Sequence, residues 1–85
     1  RVDRRQRQMG IRDRDTVVLN KDMPDAGLKK VDLGAVVQVY EPDGLEVEFV
    51  TAAGKTEALV TLNERDVRHV ADSDLIAVRS LRKTA

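Results

Sequence analysis

The most restrictive feature of this sequence is a strict alternation of apolar and acidic residues. Over residues 45–49 the chain reads LEVEF, which puts the apolar side chains on one face of a strand and the two glutamates on the other. Turn-forming triplets lie on both sides of this run, PDG at 42–44 and AGK at 53–55. The pattern predicts a strand between two antiparallel neighbours, and therefore an all-β fold.

Four further strands are predicted at residues 16–19, 33–40, 56–62 and 68–70. A long loop at 23–32, which Leu28 anchors to the core, separates the first two strands, and a single helical turn at 63–66 precedes the last one. This order is typical of a small five-stranded SH3-like barrel over residues 15–70. The expected core consists of Val18, Val37, Val39, Leu45, Val47, Phe49, Ala58, Val60, Leu62 and Val67.

Two segments lie outside the predicted barrel. Residues 1–14 carry too few apolar side chains to bury a stripe, and we expect a flexible basic arm. Residues 71–85 form a C-terminal tail, for which a short helix or an additional edge strand is expected. The apolar residues of this tail either fold over the open edge of the barrel or contact another chain, which would make the protein a homo-oligomer through the tail.

Composition excludes several classes of protein. The 85 residues, of which 41% are hydrophobic, can close one small core but cannot line the deep cleft of a multi-step enzyme. The sequence contains no cysteine, so disulfides and thiolate metal sites are absent. One Phe and one Tyr are too few to pave a groove for a proline-rich peptide. No apolar run reaches the roughly 20 residues of a membrane helix, so we expect a soluble, cytoplasmic protein with no membrane contact.

No residue pattern indicates catalysis. His69 is the only histidine, and a single histidine without thiolates or clustered carboxylates does not make a metal site. The serines and threonines have no accompanying histidine and acid in a recognisable motif. The sequence therefore predicts a protein that is not an enzyme, with no catalytic, metal-binding or cofactor-binding residues and no cofactor.

Charge is unevenly distributed, although 15 basic residues balance 15 acidic ones. Residues 1–15 contain six arginines and three aspartates, whereas residues 22–66 contain ten acidic and four basic residues. The acidic middle predicts a partner-binding face, which with its exposed neighbours comprises Tyr40, Glu46, Glu48, Glu57 and Leu59. The arm is solvated, docks on a protein, or contacts nucleic acid through Arg4, Arg5, Arg7 and Arg12.

A family resemblance covers about residues 13–70. It rests on DTVVL at 15–19, DMP at 22–24, GL at 27–28, DLGAVVQVY at 32–40, EVEFV at 46–50, GKT at 54–56, VTL at 60–62 and DVR at 66–68. These segments resemble a family of small bacterial proteins known as a domain of unknown function. That family is similar to the SH3-like barrel of the nitrile hydratase β subunit and its accessory proteins, and some members look like antitoxin or immunity partners. The resemblance implies a fold and a class of partner, and it brings no catalytic residues.

The sequence is compatible with three functions. The first is a non-enzymatic protein-interaction module whose acidic face binds a basic partner, such as a toxin neutralised by this chain as its antitoxin. The second is a nucleic-acid-associated accessory factor that uses the arginine-rich arm, although an acidic barrel repels the nucleic-acid backbone. The third, a subunit or chaperone of a hydratase-type enzyme, rests on the likeness of fold alone.

Overall fold

The structure is a computed structural model, and it describes residues 10–81. In it, turn residues divide the chain into five strands. The strands are β1 (Thr16–Leu19), β2 (Leu33–Tyr40), β3 (Gly44–Val50), β4 (Thr56–Asn63) and β5 (Val67–His69). Single turns of 3-10 helix lie at Pro24–Ala26 and Glu64–Asp66, and the described residues contain no α-helix. The all-β prediction is confirmed. None of the helical turns in this part of the chain is long and apolar enough to cross a bilayer.

All five strands join one antiparallel sheet in the order β4-β3-β2-β1-β5. The first two strands have the predicted bounds, β3 and β4 are slightly longer than predicted, and β5 begins one residue earlier. The strands at the two ends of the order, β4 and β5, do not pair with each other. The sheet is therefore open, and the predicted barrel is not closed.

The core lies on one face of this sheet, which we call the inner face. Its buried side chains are Val17, Leu19, Val36, Leu45, Val47, Phe49, Leu62 and Val67, with Ile11 and Leu28 packed over them. Val39, Ala58 and Val60 pack against this cluster and are partly buried. Leu45, Val47 and Phe49 are all buried, so the alternation in β3 correctly predicted which of its side chains face the core.

Two of the predicted core residues lie elsewhere. Val37 is 41% exposed, and its neighbour Val36 is fully buried instead. The pairing of β2 with β3 shifts register between Val36 and Gln38, and this bulge turns Val37 out of the core. Val18 is buried, but the core cluster takes Val17 and Leu19 from β1, so Val18 points to the opposite face of the sheet.

The segment that precedes β1 packs against the sheet. Ile11 is buried in the core, and the Arg14 amide donates a 2.6 Å hydrogen bond to the Val36 carbonyl. The prediction of a solvated arm up to Arg14 is therefore wrong for this part. Residues 1–9 lie outside the described residues.

Local signals in the two connections act as predicted. In the long loop, Met23 and Leu28 form an isolated bridge, and Gly27 takes a left-handed conformation with a φ of 74° to close the turn between them. Leu28 is buried, as predicted. Before β5, the Asn63 amide donates to the Asp66 carboxylate at 3.0 Å, and the Asn63 side chain accepts from the Arg65 amide at 3.0 Å. This capping box fixes the one-turn helix.

Candidate functional site

Four of the five residues predicted to bind a partner share the face of the sheet opposite the core, which we call the outer face. Glu46 and Glu48 lie between buried residues of β3 and therefore point outward. In the register of β3 with β4, Glu48 lies opposite Leu59. Tyr40, at the end of β2, pairs with Gly44 next to the buried Leu45, so it also lies on the outer face. Glu57, the fifth, lies at a bulge in β4, where Phe49 pairs with Ala58 and Val50 with Thr56, so alternation does not assign it to either face.

Threonine hydroxyls of β4 hold the two glutamates of β3 in place. The Thr61 hydroxyl donates a 2.8 Å hydrogen bond to Glu46 Oε1, and the Thr56 hydroxyl donates to Glu48 Oε2. Both glutamates are half-buried against the sheet, whereas Leu59 is 55% exposed. The hydroxyls already restrain the two carboxylates. The glutamate side chains would therefore lose less conformational entropy on binding a partner than an unrestrained glutamate would. The result is a fixed acidic pair next to an apolar side chain.

Residues 71–81, the described part of the C-terminal tail, lie over one end of the outer face, where they line a groove together with Val18 and Leu33. The tail contains neither a helix nor a strand here, so the predicted C-terminal helix or edge strand is not found in its described part. Near its start, the Arg68 guanidinium forms two hydrogen bonds with the Asp74 carboxylate, of 2.8 and 3.2 Å. This pairing lowers the pKa of Asp74, and the hydrogen bond that Asp74 accepts from the Ala71 amide acts in the same direction.

Arg79 fastens the far end of the tail to the long loop. Its Nε and Nη2 donate to the two oxygens of Asp32 at 2.8 and 2.6 Å, and Nη2 also donates to the Gly27 carbonyl at 3.0 Å. We call this contact the tail clasp. The hydrogen bond from Arg79 holds the pKa of Asp32 below its ordinary value, against a smaller opposing effect of burial. Asp32 in turn raises the pKa of Arg79, and the nearby charge of Glu57 adds a smaller contribution.

Between the tail and the sheet lies an open groove of about 720 Å³. Val18, Leu33 and Val50, which are neighbours on β1, β2 and β3, line its sheet side. The tail contributes Leu75, Ile76, Val78 and Leu81 to its other side. Leu75 and Val78 are 94% and 95% exposed, so they bury almost nothing against the sheet. Leu81, at 43% exposed, is the best covered of these four side chains, so limited apolar contact and the polar contacts of Arg68 and Arg79 together hold the tail in place.

Sequence reasoning missed this groove for two reasons. The run TVVL in β1 is apolar on both faces, so it gave no sign that Val18 points away from the core. Asp32 and Arg79 are 47 residues apart, so no local pattern connects them. The excess of apolar residues in the tail was the one available signal, and it indicated only that some surface remained to be covered.

Other predicted positions add little to a site. Arg12 is exposed, and its amide donates to the Asp15 carboxylate at 2.8 Å, whereas Arg4, Arg5 and Arg7 lie outside the described residues. His69 is exposed at the end of β5. Within residues 10–81, no group of three or more His, Cys, Asp or Glu side chains is arranged to hold a metal ion.

Comparison with known protein families places most of the chain in a family. A family model described as a domain of unknown function, DUF4926, matches residues 14–69, which is well over half of the chain. Searches of the curated proteins and of the solved structures found no significant match. The matched segment runs from just before β1 to the end of β5, so it covers all five strands. The chain therefore belongs to the DUF4926 family of domains of unknown function.

Proposed function

We propose that this domain is a non-enzymatic protein-interaction module that binds a basic protein partner through the outer face of its sheet. The observation that carries the proposal is the fixed pair of carboxylates, Glu46 and Glu48, next to the exposed Leu59. The two glutamates are two residues apart on β3, which corresponds to about 7 Å along the strand. That spacing suits two Lys or Arg side chains of a partner, while Leu59 offers apolar area to bury between them.

The acidic middle of the chain supports the same class of partner. Charge complementarity speeds the encounter of two proteins and fixes their orientation more than it adds affinity. An antitoxin is one form of this proposal, in which the outer face occupies the basic, RNA-directed surface of a toxin. The strands also follow one another in the order of an SH3-like meander, with a long first loop and a helical turn before β5. We propose that arrangement as the fold type, with the sheet left open.

The test uses the full chain as bait in lysate from its source cell, with and without nuclease. We expect capture of a basic protein that survives nuclease treatment. A variant with Glu46→Gln and Glu48→Gln keeps the shape and an oxygen acceptor for each threonine, but it removes both charges. Because an exposed charge pair contributes about 0.2–1 kcal/mol, affinity for the captured protein should fall about 2- to 30-fold and depend less on salt.

The matched control removes two charges away from the outer face. Asp13 and Asp25 are exposed and lie outside the strands, so Asp13→Asn with Asp25→Asn gives the same change in net charge. This control should bind like the parent chain. Equal weakening by both double variants would mean that only net charge matters, and the mapping to the outer face would be wrong. Capture that disappears on nuclease treatment would instead support nucleic-acid binding by the arm with Arg4, Arg5, Arg7 and Arg12.

A further inference from the structure

The outer edge of β4 is open among the described residues. β4 ends the sheet order, and no strand within residues 10–81 pairs with its free side. Natural proteins protect such edges with proline, lysine, bulges or short strands. β5, at the other end, has only three residues, whereas β4 has eight and contains no proline or lysine. A bulge at Glu57 interrupts the start of β4, but residues 58–63 pair regularly with β3. β4 is therefore the edge that can accept another strand.

The hydrogen bonds identify which backbone groups of β4 face outward. The Glu64 amide donates to the Asp43 carbonyl at 2.9 Å, which continues the ladder between β3 and β4. In an antiparallel ladder, alternate residues bond the neighbouring strand, so Leu62, Val60 and Ala58 bond β3. The N–H and C=O groups of Leu59 and Thr61 then point to the free edge. The amide of residue 63 also points away from β3, and Asp66 already accepts its hydrogen bond.

We propose that two copies of this chain pair antiparallel through their β4 edges, with the two-fold axis at Val60, to form one continuous sheet. In this register Leu59 of each copy lies opposite Thr61 of the other, and each pair exchanges two backbone hydrogen bonds. All the outward groups identified above are then satisfied. A second copy fits this edge better than an arbitrary strand because the edge is complementary to itself in this register.

The side chains agree with the same axis. Val60 is partly buried at the border of the core and would contact Val60 of the second copy. Ala58 of each copy would contact Leu62 of the other. The two inner faces would therefore join as one apolar surface. The regular segment of β4 that would pair, residues 58–62, carries no charged side chain, so no like charges meet across the edge. Residues that pair across an antiparallel ladder face the same side, so both outer faces would lie on one surface of the dimer.

Cysteine cross-linking of the full chain tests this register, because the sequence has no cysteine of its own. In the proposed dimer the two Val60 Cα atoms are about 4.5 Å apart, within the range that a disulfide spans. Val60→Cys should therefore give a disulfide-linked dimer at least tenfold faster than Val37→Cys, whose side chain is exposed on β2. Leu59→Cys should also be slow, because residue 59 faces residue 61 and not its own copy. Equal rates for the three variants, or the fastest rate for Leu59→Cys, would overturn the proposal.

Sedimentation equilibrium at millimolar concentration tests the pairing without a covalent bond. The parent chain should show a monomer–dimer equilibrium. Leu59→Pro removes an outward N–H without removing a bond to β3, so it should shift the equilibrium to monomer, whereas Leu59→Ala keeps that N–H and should still dimerise. A parent chain that stays monomeric would overturn self-pairing, whatever the outcome for the acidic face. The inference does not depend on the proposed function, since Glu46 and Glu48 do not lie on β4.

Discussion

Gly34 of β2 has no room for even a methyl group, and Gly34→Ala tests that packing directly. A Cβ atom at this position would lie 2.6 Å from Val47 Cγ1 and 2.8 Å from Phe49 Cε2. Carbon atoms in contact prefer separations of about 3.5–4.0 Å, so at least one of the two side chains must move by close to 1 Å. Both are buried in the core, so moving either one disturbs its other neighbours.

The expected cost follows from this overlap. Extra volume in a packed core costs about 1–3 kcal/mol, while replacing glycine by alanine recovers about 0.4–1 kcal/mol by restricting the unfolded chain. With the middle of each range, about 2 and about 0.7 kcal/mol, we expect the free energy of unfolding to fall by about 1.3 kcal/mol, or the Tm by about 5–10 °C. Urea unfolding monitored by circular dichroism measures this change, with the m-value unchanged.

A second substitution identifies the overlapping atoms. Val47→Ala removes the nearer methyl group, so in that background Gly34→Ala should cost measurably less than it does alone. In a Leu62→Ala background the two costs should add, because β4 is two strands away from β2. If Gly34→Ala is as stable as the parent chain, or if its cost is independent of Val47, the reasoning from the close contact is refuted.

Two further predictions concern the bulge in β2 and the tail clasp. Val36→Ala should lower the free energy of unfolding by about 2 kcal/mol, because it removes buried methyl groups. Val37→Ala, at an exposed position, should change it by less than about 0.5 kcal/mol. Urea unfolding measures both changes, and equal losses for the two variants would contradict the bulge. The pKa of Asp32 is lowered in the folded chain, so the clasp should contribute its full stability above pH of about 4 and lose it as the pH falls through the lowered pKa. The Arg79 Nε–H resonance should therefore move on acidification, and Asp32→Asn should abolish the movement; an equal movement in the parent chain and in Asp32→Asn would contradict the clasp.

Much of the fold could be predicted because its signals are local. Turn residues and alternation gave the five strands, and an Asn followed by Asp three residues later gave the capped turn before β5. Glu46 and Glu48 share one face for the same reason, since alternation along β3 decides where both of them point. Ile11 was missed because one apolar residue among arginines gives no periodic signal, and only contact with the core buries it.

The sequence by itself determined the set of strands, the turns that join them as antiparallel neighbours, and the side of β3 that faces the core. These features depend on residues that are close together in the sequence. Only the tertiary structure decided the rest. The bulge that buries Val36 and exposes Val37 arises from the hydrogen bonding between β2 and β3. Val18 faces away from the core because β1 is apolar on both sides, so the neighbouring strands decide its orientation. The tail clasp depends on charges 47 residues apart, which only the folded arrangement of the sheet and the long loop brings together.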